Sequence, residues 1–207
     1  MNYNDTFIRT YNLAHGAATV DRTVVPPHEF LNWTHTFREQ VDDLFLKDYK
    51  LRDPSAKAQW EPEKTLFVVW FGVVDISLLI DRKQYDREEA AKLVDAYEKI
   101  LGDVYGGGAR HFLLLTTPPM YLSPSAHEEG HNPFLLRLQI RAFNGHLYAM
   151  RKRFMEQHPD STVYIFDTHG LMTKIIQDPT CTEMTAHVRN TTSNCWDYNP
   201  YVHRSSA

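Results

Sequence analysis

The segment His127-Glu128-Glu129-Gly130-His131 spells the His-Glu-x-x-His pattern. On a helix that spacing sets two imidazoles one turn apart to hold zinc, with the glutamate as general base. Here the pattern lies between Pro124 and Pro133, contains Gly130, and has no apolar periodicity to hold a helix against a core. A zinc site also needs a third ligand, and none is marked, so no metal or other cofactor is expected; a zinc metalloprotease stays as an alternative. His15, His111, His146 and His169 read as packed or surface histidines. Nucleophilic chemistry fares no better on motif grounds. No Gly-x-Ser-x-Gly elbow occurs, and Ser55, Ser77, Ser123, Ser125 and Ser161 read as turn or surface residues. Gly106-Gly107-Gly108 lacks the lysine of a phosphate-binding loop and reads instead as the end of a helix. Cys181 and Cys195 can form one disulfide or remain two thiols.

The elements that position these residues follow from hydrophobic periodicity. Phe7 to Leu13 reads as a short strand, and Leu66 to Phe71 as a continuous apolar strand buried on both faces. Between them Phe37, Val41, Leu44 and Phe45 fall at helical spacing behind a capping box of Thr36 and Glu39. A second helix over about Asp86 to Tyr105 gathers Leu93, Tyr97, Ile100, Leu101 and Val104 on one face. The strand His111 to Thr116 follows. A long helix after Pro133 then aligns Leu136, Ile140, Phe143, Leu147, Met150 and Phe154, and Thr162 to Phe166 is the last strand. Strands alternating with helices imply βαβ units and a parallel sheet covered on both faces. Ligands bind such sheets beyond the carboxyl ends of the strands, here Gly16, Gly72 to Asp75, Thr117 to Met120 and Asp167 to His169.

Composition bounds the partners. The chain of 207 residues is 43% hydrophobic and 23% charged, with a net charge of -4, which fits one ordinary soluble domain. That balance offers no electrostatic footprint for nucleic acid. Its apolar runs fall far short of the roughly 18 residues that suggest a membrane span. Met1 to Thr6 has neither the basic start nor the apolar core of a secretory signal, so the chain as written is expected in the cytosol. Against that, Asn4-Asp5-Thr6, Asn32-Trp33-Thr34 and Asn190-Thr191-Thr192 satisfy the glycosylation rule, which matters only on the secretory path.

Several stretches together resemble the fungal SGNH, or GDSL-type, lipases and acylhydrolases of the carbohydrate-acetylesterase kind. Tyr11-Asn12-Leu13-Ala14-His15-Gly16-Ala17-Ala18-Thr19-Val20-Asp21 is similar to their second block and Leu66 to Asp75 to their third. Gly108 to Leu115 with Pro118-Pro119, Asn144 with Leu147, Ile165-Phe166-Asp167-Thr168 and Asn190-Thr191-Thr192 follow in order. The resemblance implies an α/β fold, a three-layer αβα sandwich with a parallel, flavodoxin-like sheet. The central first strand of that sheet is apparently missing, so residues 1–207 are expected to be a single domain truncated at both ends.

It also implies a serine nucleophile, a histidine base oriented by an aspartate, and an oxyanion hole of backbone amides plus an asparagine, acting on acetyl or short-acyl esters, on small molecules or carbohydrate. Gly16 and Gly72 match the oxyanion-hole positions. The Gly-Asp-Ser of the nucleophile occurs nowhere in the sequence, and Gly72-Val73-Val74-Asp75 has valine where the family has asparagine. His203 is the candidate base, although Pro200 occupies the acid position before it. The expectation is therefore a hydrolase inactive or impaired in turnover, with a non-catalytic pseudo-enzyme or interaction protein as the alternative. Members of this family are usually secreted.

Overall fold

The computed structural model of the protein describes residues 8–84, 87–127 and 132–192. Helix α1 spans residues 37–48 and begins with the capping box the sequence predicts. The Glu39 amide donates to Thr36 Oγ1 at 3.3 Å, while Glu39 Oε2 accepts from the Thr36 amide at 2.8 Å. Its middle, Gln40–Phe45, is a π-helical turn in which the Leu46 amide reaches the Val41 carbonyl. Phe37, Val41 and Phe45 are buried beneath it.

Three strands form one parallel sheet: β1 (Leu66–Val69), β2 (His111–Leu115) and β3 (Thr162–Phe166), ordered in space as they are in sequence. Helices α2 (Val73–Asp81) and α3 (Arg87–Gly106) connect β1 to β2, α4 (Pro133–Gln157) connects β2 to β3, and α5 (Thr168–Gln177) follows β3. The predicted apolar faces are the ones buried. Leu93, Tyr97, Ile100 and Leu101 of α3 pack with Ile140, Phe143, Leu147 and Met150 of α4 in one core under Phe112, Leu114 and Val163 of the sheet. Each such side chain contributes about 1.5–3 kcal/mol relative to exposure. Gly108, at φ 115°, turns the chain out of α3, and a side chain there would strike Leu51; the glycine run ends a helix, as expected.

The α/β class and the parallel sheet are as the sequence predicts, with the sheet reduced to three strands. Two expectations change. The strands read as buried on both faces, yet α3 and α4 cover only the face carrying Phe67, Val69, Phe112 and Leu114. The opposite face leaves Leu66, Val68 (61% exposed), Trp70, Tyr164 (54%) and Phe166 open. Crossovers of one hand between consecutively ordered strands put both helices on the same side. The strand expected over Phe7 to Leu13 is not formed by residues 8–13. Ile8 is 87% exposed, and the Asn12 side chain accepts the Ala14 amide in a local turn that competes with strand pairing. Phe7 lies outside the described residues. Among the described residues no strand pairs with the outer edge of β1.

Candidate functional site

The carboxyl ends of the three strands and the loop bearing Gly16 meet at one end of the sheet. The loop has no regular structure, so it is held by side chains and single backbone bonds. Thr34 Oγ1 donates to the Gly16 carbonyl at 2.8 Å, and the amides of Phe37 and Arg38 donate to the carbonyls of Thr19 and Val20 at 2.9 and 3.1 Å. Arg22 forks onto Glu39 at 2.7 and 3.0 Å, and that contact holds the Glu39 carboxyl down at about 2. Ala17, beside Gly16, has φ 57°, a left-handed conformation unusual for a residue with a side chain. A Cβ placed on Gly16 would meet nothing within 4 Å, so packing does not require glycine there.

Past β1 the chain turns sharply at Gly72, φ 108°, the residue that precedes α2. A Cβ here would lie 2.6 Å from the Phe143 ring and 3.0 Å from Thr117 Oγ1, so only glycine fits. Asp75, in the first turn of α2, is fully buried, and its Oδ1 accepts the Val20 amide at 2.9 Å. This bond ties the Gly16 loop to the end of β1 across 55 residues of sequence. Burial pushes the Asp75 carboxyl up to about 7, against the lowering pull of the Val20 and Gly72 amides. Its Oδ2, together with Thr19 Oγ1 and Thr117 Oγ1, is buried with no hydrogen-bond partner among the described residues. Asp75 is therefore more than a cap on its own helix: it fastens two loops together. Val74, where the family pattern has asparagine, packs partly buried against the core.

After β2, Thr117 is clamped by Asn144 of α4. The Thr117 amide donates to Asn144 Oδ1 at 2.9 Å, and Asn144 Nδ2 donates to the Thr117 carbonyl at 3.0 Å. Thr116 links all three strand ends. Its carbonyl accepts from Trp70 Nε1 at 3.3 Å, its hydroxyl donates to Asp167 Oδ1 at 3.3 Å, and the same oxygen accepts the His169 amide at 3.0 Å. Asp167 caps α5 through the Gly170 amide. The structure thus brings together Gly72, Asp75, Thr117 and the Asp167 to His169 turn that strand topology singles out, and ties the loop that carries Gly16 to them through Val20. Tyr121 and Arg137, which border the same end, have no sequence motif; their signal is position, just after β2 and at the start of α4.

His203 and Cys195 lie outside the described residues, and Cys181 is partly exposed after α5. Of the His-Glu-x-x-His segment, His127 ends the 3₁₀ turn Pro124–His127, and residues 128–131 lie outside the described residues. Among the described residues no cluster of three or more His, Cys, Asp or Glu could hold a metal, and no helix is long and apolar enough to cross a membrane. A groove of about 630 Å³ between α3 and α4, lined by Asp95, Glu98, Arg153 and His158, lies on the helical face away from the strand ends.

No protein-family model matches the chain. Its sequence is similar to that of a curated acetylesterase from Thermothelomyces thermophilus, at 26% identity over 207 aligned residues that take in 97% of this chain and about two thirds (67%) of the relative. The resemblance to an acetylesterase-like hydrolase, read from the blocks around Gly16, Gly72 and Asp167, is borne out by that relative.

Proposed function

We propose that the chain is an ester-hydrolase domain of the SGNH kind whose strand-end loops receive acetyl or short-acyl carboxylic esters, on small molecules or carbohydrate, and whose turnover is impaired. The similarity to an acetylesterase along 97% of the chain carries the reading of substrate class. The geometry agrees with it: the loops aligned with that relative meet at the carboxyl end of the sheet, and the Gly16 loop is open above its backbone. In this reading the Gly16 and Gly72 positions line the side of the site where the ester carbonyl oxygen gains charge.

Impairment follows from the side chains. Val74 cannot donate to an oxyanion; loss of one such donor typically costs on the order of a hundred- to a thousandfold in turnover. Val74 packs against the core, so apolar packing accounts for valine at this position. That observation favours a second reading, in which the domain binds esters or a partner without cleaving them. With His203 as base the reading needs a nucleophile that no serine motif marks.

The test is hydrolysis of p-nitrophenyl acetate by residues 1–207, with and without a serine-directed sulfonyl fluoride. We expect turnover indistinguishable from buffer and insensitive to the reagent, alongside measurable binding of acetylated sugar by the same protein. Reagent-sensitive turnover would show that a working nucleophile is present and defeat the claim of impairment. Absence of both turnover and binding would remove the ester reading.

A further inference from the structure

Beyond the ends of β2 and β3, side chains from three separate segments converge. Tyr121, in the 3₁₀ turn Met120–Leu122, has its hydroxyl 3.3 Å from His169 Nε2, and the two rings are tilted with centroids 5.9 Å apart. His169, in the first turn of α5, is fixed through its backbone by Thr116 Oγ1. Arg137, near the start of α4, sets its guanidinium 5.6 Å from the centroid of the Tyr121 ring. Asp167, the nearest carboxylate in sequence, is occupied by the Gly170 amide and the Thr116 hydroxyl, both on Oδ1.

Elsewhere on the chain some arginines are held by carboxylates, while Arg82 and Arg151 are held by the backbone carbonyls of Pro27 and Val163. Arg22, Arg38, Arg110 and Arg153 are each ion-paired with a carboxylate. The described contact of Arg137 is an aromatic ring, and a guanidinium beside a ring keeps its N–H fork available to a planar anion. The Tyr121 hydroxyl and His169 Nε2 bond to each other, so one proton is spent between them; with Nε2–H donating to the Tyr121 oxygen, the Tyr121 O–H remains as a donor. Trp70, half exposed, is anchored on the carbonyl of Thr116, whose hydroxyl oxygen accepts the His169 amide.

We propose that Tyr121, Arg137 and His169 form a subsite for a carboxylate carried by the part of the ligand that is not the ester. Arg137 supplies the charge and the bidentate fork, and Tyr121, held by His169 Nε2, supplies a single O–H donor. The carboxylate can belong to a uronate-type sugar or to a small organic acid; the chemistry of recognition is shared. That the subsite serves an ester rests on the function proposed above, whereas its binding of a carboxylate does not.

The experiment is a titration of the isotopically labelled chain with methyl glucuronoside, methyl glucoside and acetate, followed through backbone amide resonances. We expect saturable shifts at Tyr121, His169 and Gly170 with the glucuronoside and none with the neutral glucoside. If acetate binds as tightly as the glucuronoside, the natural ligand is a small carboxylate; if it binds more weakly, it is a sugar acid. Either supports the subsite. Arg137→Gln should weaken binding at least about tenfold, in line with loss of a charge-assisted pair, and Tyr121→Phe should weaken it by less. Unchanged resonances elsewhere show that each variant is folded. Equal shifts with the neutral glucoside, or unaltered binding by Arg137→Gln, would overturn the proposal. Glucuronoside binding without ester hydrolysis leaves the subsite standing; hydrolysis without glucuronoside binding overturns the subsite and leaves the hydrolase reading standing.

Discussion

Asp75 shows how much one buried carboxylate can do in a site assembled from loops. It accepts the amide of Val20, neighbours that of Gly72, and has one oxygen with no partner among the described residues. Because burial raises its pKa to about 7 from the ordinary 3.8, the folded protein binds this proton more tightly than the unfolded chain does. The stabilisation is therefore complete below about pH 4 and is lost progressively as pH rises toward 7. Asp75→Asn keeps an acceptor for Val20 without the buried charge. We expect its melting temperature to match the parent near pH 4.5 and exceed it at pH 8; a parent melting temperature flat between those values would contradict the assignment. None of this could be read from the sequence, where Asp75 is one acidic residue after a strand and its partner is 55 positions away.

At the level of elements, the joints matter more than the elements they join. Gly72 sits under Phe143 with no room for a methyl group and at a φ that side chains resist, so Gly72→Ala should cost about 2–4 kcal/mol. Gly16→Ala, whose methyl would enter open space, should change stability by less than about 0.5 kcal/mol. Chemical denaturation of the two variants checks the contrast, and equal losses would refute the packing argument. The regular elements were largely legible in the sequence. The α3 and α4 faces, the Thr36 capping box and the strands β2 and β3 follow from periodicity and capping chemistry, because such signals are local. Helix α2 and the π turn in α1 were not legible, since the first begins inside an apolar run and the second leaves the apolar spacing intact. Residues 8–13 misled for the opposite reason. Their composition suits a strand, but a strand needs a neighbour, and neighbours are not encoded locally. The candidate site divides the same way. Position at strand ends was readable from topology, whereas the Val20 to Asp75 tie and the meeting of Tyr121, Arg137 and His169 depend on how distant segments dock.

For the whole molecule, the uncovered sheet face sets the behaviour in solution. Val68 and Tyr164 lie in one row across the sheet with Leu113 between them, and Leu115 and Phe166 form the next, so the exposed apolar side chains are contiguous. Such a surface, beside a strand edge that no described residue pairs, favours association. We expect residues 1–207 to enhance the fluorescence of an apolar dye in the native state and to self-associate with rising concentration. Val68→Lys should reduce both without lowering the melting temperature by more than a few degrees. Dye fluorescence at the level of a well-covered globular protein would contradict this. The consecutive strand order has another consequence, for synthesis. Neighbours in the sheet are made one after the other, so the three described strands are all present once Phe166 has emerged, and each is joined to the next by a single crossover. The Gly16 loop, made first, finds its anchor at Asp75 only after β1 has been made. The protein therefore builds its scaffold in one forward pass and assembles its candidate site by folding earlier residues back onto later ones.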